Sequence, residues 1–237
     1  MNPFNPRILT INGGSSSIKF ALFEAEDPLQ RILEGSIERI GMPVATLRVK
    51  GLSQADNFSR PLAAPNHTVA VDALMDWIEE RLGRVALSAV GHRVVHGGPK
   101  YSDPQLITRE MVEELRQLTP FDPEHLPEEI LLTEAFHRRF PELPQVACFD
   151  TAFHHDHTEL VTRFALPGAW HDQGVRRYGF HGLSYEFVAG RLKDLDPALA
   201  TKKVVVAHLG NGASLCALDG GRSIDTTMGF TALEGLI

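Results

Sequence analysis

Small hydrogen-bond donors and one cation are concentrated near the start of the chain, between two apolar stretches. The two glycines in this group permit positive φ and close approach of the backbone, and the hydroxyls and intervening N–H groups can all point at one anion. A lysine adds positive charge at the same place. The pattern predicts a turn that binds a phosphoryl group. Its polar members are Asn12, Gly13, Gly14, Ser15, Ser16, Ser17 and Lys19.

A second turn of similar composition, Gly210–Leu215, follows the apolar stretch Val204–Leu209. This segment aligns with Gly13–Ile18 without gaps. Either turn alone is explained by ordinary turn chemistry, because Gly, Ser and Asn are common in tight hairpins. As a pair they favour phosphate binding, and we expect the two hairpins to hold a phosphate chain from both sides.

Three further residues have the chemistry and the local setting of a functional site. Arg93 ends an apolar stretch, where a guanidinium can hold a carboxylate or a phosphate through two parallel hydrogen bonds. Asp150 follows another predicted strand, and His181 immediately precedes a predicted helix, whose amide end favours anions. The alternatives are a structural salt bridge for Arg93, a turn cap for Asp150, and packing or capping for His181.

The segment His154-His155-Asp156-His157 has the residue types of a metal site. Its spacing matches no standard zinc pattern, because it lacks a helical i, i+4 pair with a distant third ligand. We therefore interpret the segment as a solvated loop.

Composition excludes several classes of function. Of the 237 residues, 43% are hydrophobic, which suffices for a core, and 23 basic against 30 acidic residues give a net charge of −7. General affinity for nucleic acid or for anionic membranes is therefore not expected, and any anion site must be local. No apolar run reaches the roughly 18 residues needed to span a bilayer. Because Cys148 and Cys216 are the two cysteines and no secretory pattern opens the chain, we predict a cytoplasmic protein.

Hydrophobic periodicity predicts an α/β chain with a domain boundary near Asp150. The N-terminal domain, residues 1–150, would carry the first phosphate loop, and residues 151–237 would begin a second domain. The predicted strands are Arg7–Asn12, Ile18–Glu24, Arg31–Ile40, Thr46–Lys50, Leu87–Val95, Gln145–Phe149 and the second hairpin. The predicted helices contain Val71 to Leu82, ending near Gly83, then Met111 to Leu118, Leu126 to Phe140, and Leu183 to Leu192.

Six segments, in their order along the chain, resemble the acetokinase family, which includes acetate and propionate kinases. The resemblance implies an α/β fold of the actin/Hsp70/sugar-kinase type, built from duplicated RNase H-like domains, with the second domain incomplete in this chain. It also implies reversible transfer of the ATP γ-phosphoryl group to acetate, with Mg²⁺, in a homodimer. The segments are Asn12–Lys19, Gly91–Gly98, Phe149–His154, Arg176–Gly182, His208–Ser214 and Thr227–Gly235.

The resemblance also implies roles for individual residues. Arg93 matches the arginine that holds the carboxylate, Asp150 the aspartate that helps position the substrate, and His181 the histidine that stabilises the transferring phosphoryl group. The first phosphate and metal loop matches at Asn12, Ser15, Ser17 and Lys19, with Asn12 as the metal residue, and the second phosphate loop matches at His208, Asn211 and Gly212. The walls of the acyl pocket match at Val95, Phe121, Phe180 and Ala232.

Several positions depart from the family pattern. Asp122 replaces a histidine and places an anion near a site that must gather anions, although His125 lies one helical turn away. Phe121 for leucine and Ala232 for proline alter the expected acyl pocket. Leu183 and Tyr185 replace Thr and His after the Phe-His-Gly motif, which is a milder change.

Alternatives to an acetate kinase remain open. Propionate or butyrate kinase differs in the length of the acyl chain, and a sugar kinase or a polyphosphate phosphatase would have an acidic residue in place of Asn12. Because the sequence stops at Leu236-Ile237, where the family continues, we expect a fragment with little or no activity. A non-catalytic phosphate-binding fragment is therefore a further candidate.

Overall fold

The computed structural model describes residues 6–26, 28–52, 54–82 and 87–236. The chain divides into two compact units. The first comprises Met1–Arg93, Gln105–Arg116 and Glu124–Ala147, and the second comprises Val94–Pro104, Gln117–Pro123 and Cys148–Ile237. The boundary near Asp150 stays a prediction.

An eight-stranded sheet with the order β5-β4-β3-β2-β1-β6-β8-β7 dominates the first unit. Its first five strands form an antiparallel meander, and β6 pairs parallel with β1. The strands are β1 Arg7–Gly14, β2 Ser17–Glu24, β3 Gln30–Glu38, β4 Ala45–Gly51, β5 Phe58–Leu62, β6 Ala89–Val94, β7 Gln105–Leu106 and β8 Gln145–Phe149. The helices are α1 His67–Leu82, α2 Arg109–Leu118 and α3 Leu126–Arg139.

Alternation of apolar residues along β1 and β2 gives this sheet one core face. Leu9 and Ile11 on β1 and Ile18 and Phe20 on β2 are buried against α1 and α3, while the intervening side chains are less buried. Asn66 caps α1 by accepting a hydrogen bond from the Val69 N–H at 3.0 Å. The alternation along β1 places its polar residues Thr10 and Asn12 on the opposite face of the sheet.

The second unit contains a three-stranded antiparallel sheet with the order β11-β10-β9. Tyr185 on α6 packs with Cys216 and Leu218 on β10 to form its core. Its elements are α4 Glu159–Thr162, α5 Gly168–Asp172, α6 Gly182–Leu195, α7 Pro197–Ala200, β9 Lys203–Leu209, β10 Ala213–Asp219 and β11 Arg222–Thr226. No helix in the described ranges is long and apolar enough to cross a membrane.

Most of the predicted elements are confirmed, with ends that move by a few residues. Gly83, where the first helix was expected to end, lies outside the described residues. The short strands β5, β7 and β11 were not predicted, because they are more polar and more exposed than the equally short β8 and lack its apolar run. The short helices α4, α5 and α7 were missed because four or five residues are too few to show helical periodicity.

The two glycine-containing hairpins differ in register. In the first, Gly14 pairs with Ser17, so Ser15 and Ser16 alone form the turn. In the second, Leu209 pairs with Ala213, which leaves the three-residue turn Gly210–Gly212. The two segments align in sequence without gaps, but their turns differ in length by one residue, which changes which side chains share a face.

Gly13 and Gly14 do not adopt the positive φ that the sequence analysis considered beside close approach of the backbone. Gly13 instead permits close packing of β1 on α3, because a Cβ there would lie 2.3 Å from Leu132 Cδ1. The two elements can approach this closely only where a side chain is absent.

Replacing Gly13 with alanine tests this packing role. We expect Gly13→Ala to lower the free energy of unfolding by about 1–3 kcal/mol, because the buried Leu132 side chain must move. Gly190→Ala is the matched control, since Gly190 is exposed on α6 and a Cβ there would have no atom within 4 Å. That variant should gain about 0.5–1 kcal/mol. Urea denaturation measures both, and equal effects at the two positions would contradict the packing role.

Candidate functional site

The first phosphate hairpin carries its polar side chains on one face of the sheet. Asn12 lies directly opposite Lys19 in the β1–β2 ladder, and Gly14 lies opposite Ser17, so Asn12, Ser17 and Lys19 share a face. The β1–β6 register, in which Ile11 pairs with His92, places Arg93 on this same face. The Arg93 guanidinium donates a hydrogen bond from Nη1 to Asn12 Oδ1 at 3.1 Å. Four residues chosen from the sequence are thus brought together.

A histidine that the sequence analysis missed holds the turn of this hairpin. His67, the first residue of α1, is buried, and its Nε2 lies 2.8 Å from the Gly14 carbonyl oxygen. Its Nδ1 lies 2.9 Å from Glu128 Oε2 in the first turn of α3. Because 53 residues separate His67 from Gly14, no local pattern could have indicated this contact.

The backbone around His181 has an unusual conformation. His181 precedes α6 with φ 60° and ψ 18°, in the left-handed region that non-glycine residues seldom occupy. The next residue, Gly182, donates its N–H to the Asp150 carbonyl at 2.8 Å, and a Cβ there would lie 2.2 Å from that oxygen. The buried Asp150 also donates its own N–H to the Val94 carbonyl at 3.0 Å. Asp150 and His181 are therefore linked through the backbone.

The His181 ring is fixed by neighbours on two strands. Its Nδ1 lies 2.8 Å from Ser214 Oγ, and that oxygen lies 2.5 Å from the Tyr185 hydroxyl. The ring stacks on His208 with centroids 4.0 Å apart, and a Cβ on Gly212 would lie 3.1 Å from Nε2. His181, His208 and Gly212, all predicted site residues, are thus in contact. Asn211 is exposed on the turn between β9 and β10.

The predicted solvated loop is partly wrong. His155 and Asp156 are exposed, but His154 and His157 are buried and both contact Ser223 Oγ, at 2.8 Å from His154 Nδ1 and 2.7 Å from His157 Nε2. His154 Nε2 also lies 3.0 Å from the Phe180 carbonyl, which only accepts, so that nitrogen carries the proton. Burial lowers the pKa of His154 to about 4, so this ring is neutral at neutral pH.

An aromatic cluster in the second unit contains two of the predicted acyl-pocket residues. The His96 ring lies between Phe121, at 6.0 Å, and Phe180, at 5.5 Å. His96 Nδ1 accepts a hydrogen bond from the Gly98 N–H at 2.9 Å. Burial lowers the pKa of His96 to about 4, against the opposing effect of the Asp122 carboxylate. Val95 is buried next to His96 in sequence, whereas Ala232 is half-buried in the C-terminal segment.

The predicted residues fall into two sets. Asn12, Ser17, Lys19 and Arg93 lie together in the first unit, with Ser15 exposed on the same turn. The second unit contains all the others: Val95, Phe121, Asp150, Phe180, His181, His208, Asn211, Gly212 and Ala232. That the two hairpins hold one phosphate chain stays a prediction.

The donor set suits a phosphate group better than a metal ion held by protein side chains alone. Among the described residues, no three His, Cys, Asp or Glu side chains are placed to hold an ion. The Asn12 amide oxygen is hydrogen-bonded to Arg93, and the hairpin offers hydroxyls and a lysine. Mg²⁺ usually keeps several waters and binds through phosphates, so hydroxyls and a lysine suit an ion that is bound to a phosphate group.

The structure defines an α/β protein that superposes on solved carboxylate kinases. It aligns with a propionate kinase from Francisella tularensis subsp. tularensis with a TM-score of 0.90 and 35% identity, covering 98% of this chain and 59% of that one. The acetate kinase of Porphyromonas gingivalis gives a TM-score of 0.85 and 33% identity over 98% of this chain and 59% of that one. The predicted α/β class and actin-like ATPase fold are confirmed.

Sequence relatives give the family. A family model for the acetokinase family matches residues 7–237. The acetate kinase of Deinococcus radiodurans is 48% identical over 231 residues, covering 97% of this chain and 57% of that protein. One from Rhodopseudomonas palustris is 48% identical over 236 residues, covering 97% and 59%. The chain belongs to the acetokinase family, and it spans somewhat less than three-fifths of the length of these relatives.

Buried histidines predict how stability depends on pH. Burial lowers the pKa of His92, His96 and His154 from 6.5 to about 4. Between those values the unfolded chain binds more protons than the folded chain, so the free energy of unfolding must fall as the pH falls through this window. One such imidazole contributes at most about 3 kcal/mol.

The measurement is urea denaturation at about pH 7 and about pH 5, above the range where most carboxylates titrate. We expect a lower free energy of unfolding at the acidic pH and a shallower dependence in His96→Leu, which has one buried imidazole fewer. His155→Leu, at an exposed neighbour of His154, is the control and should keep the original dependence. An unfolding free energy that stays constant between the two pH values contradicts the prediction.

Proposed function

We propose that the protein transfers a phosphoryl group between ATP and a short carboxylate, with acetate as the preferred substrate, yielding acetyl phosphate and ADP reversibly. The observation that carries this proposal is the pairing of Arg93 with Asn12 beside the serine turn, in a chain of the acetokinase family. A guanidinium next to a phosphate-binding turn can bring a carboxylate to a phosphoryl group.

The chemistry requires positioning more than base catalysis. A carboxylate is already a nucleophile, so the difficulty is to bring two anions together. Arg93 would hold the carboxylate and oppose the charge that develops in an in-line transfer, and Asp150 would help to position the substrate. His181, fixed by Ser214 and His208, would donate to an oxygen of the transferring group.

The nucleotide phosphates would lie against both turns. Ser15, Ser17 and Lys19 would bind them at the first turn, and His208, Asn211 and Gly212 at the second. Asn12 would contribute one ligand to Mg²⁺, and the bound ion would neutralise charge on the phosphate oxygens. Val95, Phe121, Phe180 and Ala232 would enclose the acyl group.

Further properties belong to the same proposal. We propose a cytoplasmic homodimer that binds neither nucleic acid nor membrane. The first domain would end near Asp150, and residues 151–237 would begin the nucleotide-side domain. Because the chain spans less than three-fifths of its relatives, full turnover is expected from the protein made from its complete gene.

Trapping of the acyl phosphate with hydroxylamine tests the activity. With the complete gene product we expect acyl hydroxamate to form from acetate, ATP and Mg²⁺, and Arg93→Ala to lower kcat/KM by about a hundredfold or more. Arg48→Ala is the control, because Arg48 is an exposed arginine on β4 of the same unit. Calorimetry that shows ATP binding without any transfer by the complete gene product would favour a non-catalytic phosphate-binding protein instead.

Phe121 provides a test of acyl specificity. Its ring packs edge-on against Phe230 with centroids 5.2 Å apart, and both Phe121 and Phe180 pack against the His96 ring. We expect Phe121→Leu to raise kcat/KM for propionate relative to acetate several-fold, since one methylene in an apolar pocket is worth roughly 1–3 kcal/mol. The same hydroxamate assay with both acids measures the ratio, and an unchanged ratio would remove Phe121 from the pocket.

A further inference from the structure

The ring of His181 has a chain of hydroxyl groups on one side and a phosphate turn on the other. Ser214 Oγ lies 2.8 Å from Nδ1, and the Tyr185 hydroxyl lies 2.5 Å from Ser214 Oγ. On the opposite side, Nε2 faces Gly212, where a Cβ would lie 3.1 Å away. Tyr185 and Ser214 are both fully buried, so solvent does not compete for these hydrogen bonds.

The hydrogen bonds have a preferred direction. Burial raises the pKa of Tyr185, so the phenol keeps its proton at neutral pH. A phenol is a stronger acid than an alcohol, so the shorter contact is best made with Tyr185 donating to Ser214 Oγ. The single hydroxyl proton of Ser214 is then directed at the remaining partner, which is His181 Nδ1.

We propose that Tyr185 and Ser214 are positioning residues that select the Nε2–H tautomer of His181. When Nδ1 accepts from Ser214, the one proton of the neutral ring must sit on Nε2, the nitrogen next to the Gly210–Gly212 turn. His181 then presents an N–H donor to an anion at that turn. In the opposite tautomer Nε2 carries a lone pair, which repels phosphate oxygens. The effect of this tautomer on phosphoryl transfer rests on the proposed function, whereas the hydrogen bonds that select the tautomer do not depend on it.

The backbone supports the same orientation. His154 Nε2 donates to the Phe180 carbonyl, and the His154 ring lies against Gly179, where a Cβ would be 2.7 Å from Cδ2. The peptide that leads into His181 is therefore fixed independently of the ring. Changes at Tyr185 or Ser214 should alter the ring proton without displacing this backbone.

Long-range ¹H–¹⁵N NMR of the chain labelled at its histidines tests the proposal at neutral pH. We expect His181 to show a protonated Nε2 and an unprotonated Nδ1. Ser214→Ala removes the donor, and we expect loss of the single tautomer; Ser214→Thr keeps a hydroxyl and should restore it. Tyr185→Phe should produce a partial loss, because Ser214 then lacks the donor that orients its own proton.

Tyr178→Phe is the matched control, since it removes a hydroxyl that donates to the Gly174 carbonyl at 2.8 Å without touching the His181 ring. A native His181 with its proton on Nδ1, or an unchanged tautomer in Ser214→Ala, overturns the proposal. Folding of each variant is checked in a second, uniformly ¹⁵N-labelled sample by the Gly182 amide signal, which reports the bond to Asp150.

Activity measurements separate this proposal from the proposed function. In the complete gene product, we expect Ser214→Ala to lower kcat with little change in the KM for ATP, because the donor acts on the transferring group. A native Nε2–H tautomer in a protein without phosphoryl transfer would refute the kinase and leave the hydroxyl chain intact. Normal phosphoryl transfer by a native protein in which His181 has mixed tautomers would refute the tautomer proposal and leave the kinase function intact.

Discussion

The parallel register of β1 on β6 determines where the charges of the first unit lie. Ile11 pairs with His92, which leaves Asn12 and Arg93 on the same face of the sheet and buries His92 on the other. A slip of one residue would exchange these faces, sending the guanidinium into the core and the imidazole outward. The hydrogen bond between Arg93 and Asn12 therefore depends on the packing of apolar residues such as Leu9 and Ile11 on the same strand.

In the second unit, side-chain orientation is set by close contacts and not by strand register. There the His181 side chain is fixed from both ends, with the backbone held by the hydrogen bond from Gly182 to Asp150 and the ring held by Ser214 and His208. The backbone segments around His181 can approach closely because small residues stand where they meet. Strand register thus orients Asn12 and Arg93 in the first unit, and close contacts orient His181 in the second.

Local pattern predicted the strands and helices that carry an apolar face, together with the residues at their ends. Asn12, Arg93 and His181 could be found because they lie at or beside the ends of such elements. The partners of these elements could not be found, since Ser223 is 69 residues from His154 and His67 is 53 residues from Gly14. For Gly13 the sequence indicated both positive φ and close approach of the backbone, and it could not separate them, because a glycine that serves either purpose is the same letter.

The left-handed conformation of His181 sets chain stability against chemistry at a single residue. A glycine there would adopt φ near 60° without steric cost, whereas the imidazole must be kept in place by everything packed around it. Random substitution followed by selection for folding alone would therefore drift away from histidine at this site. In the proposed function, the histidine gives up some backbone stability for an N–H donor that glycine does not have.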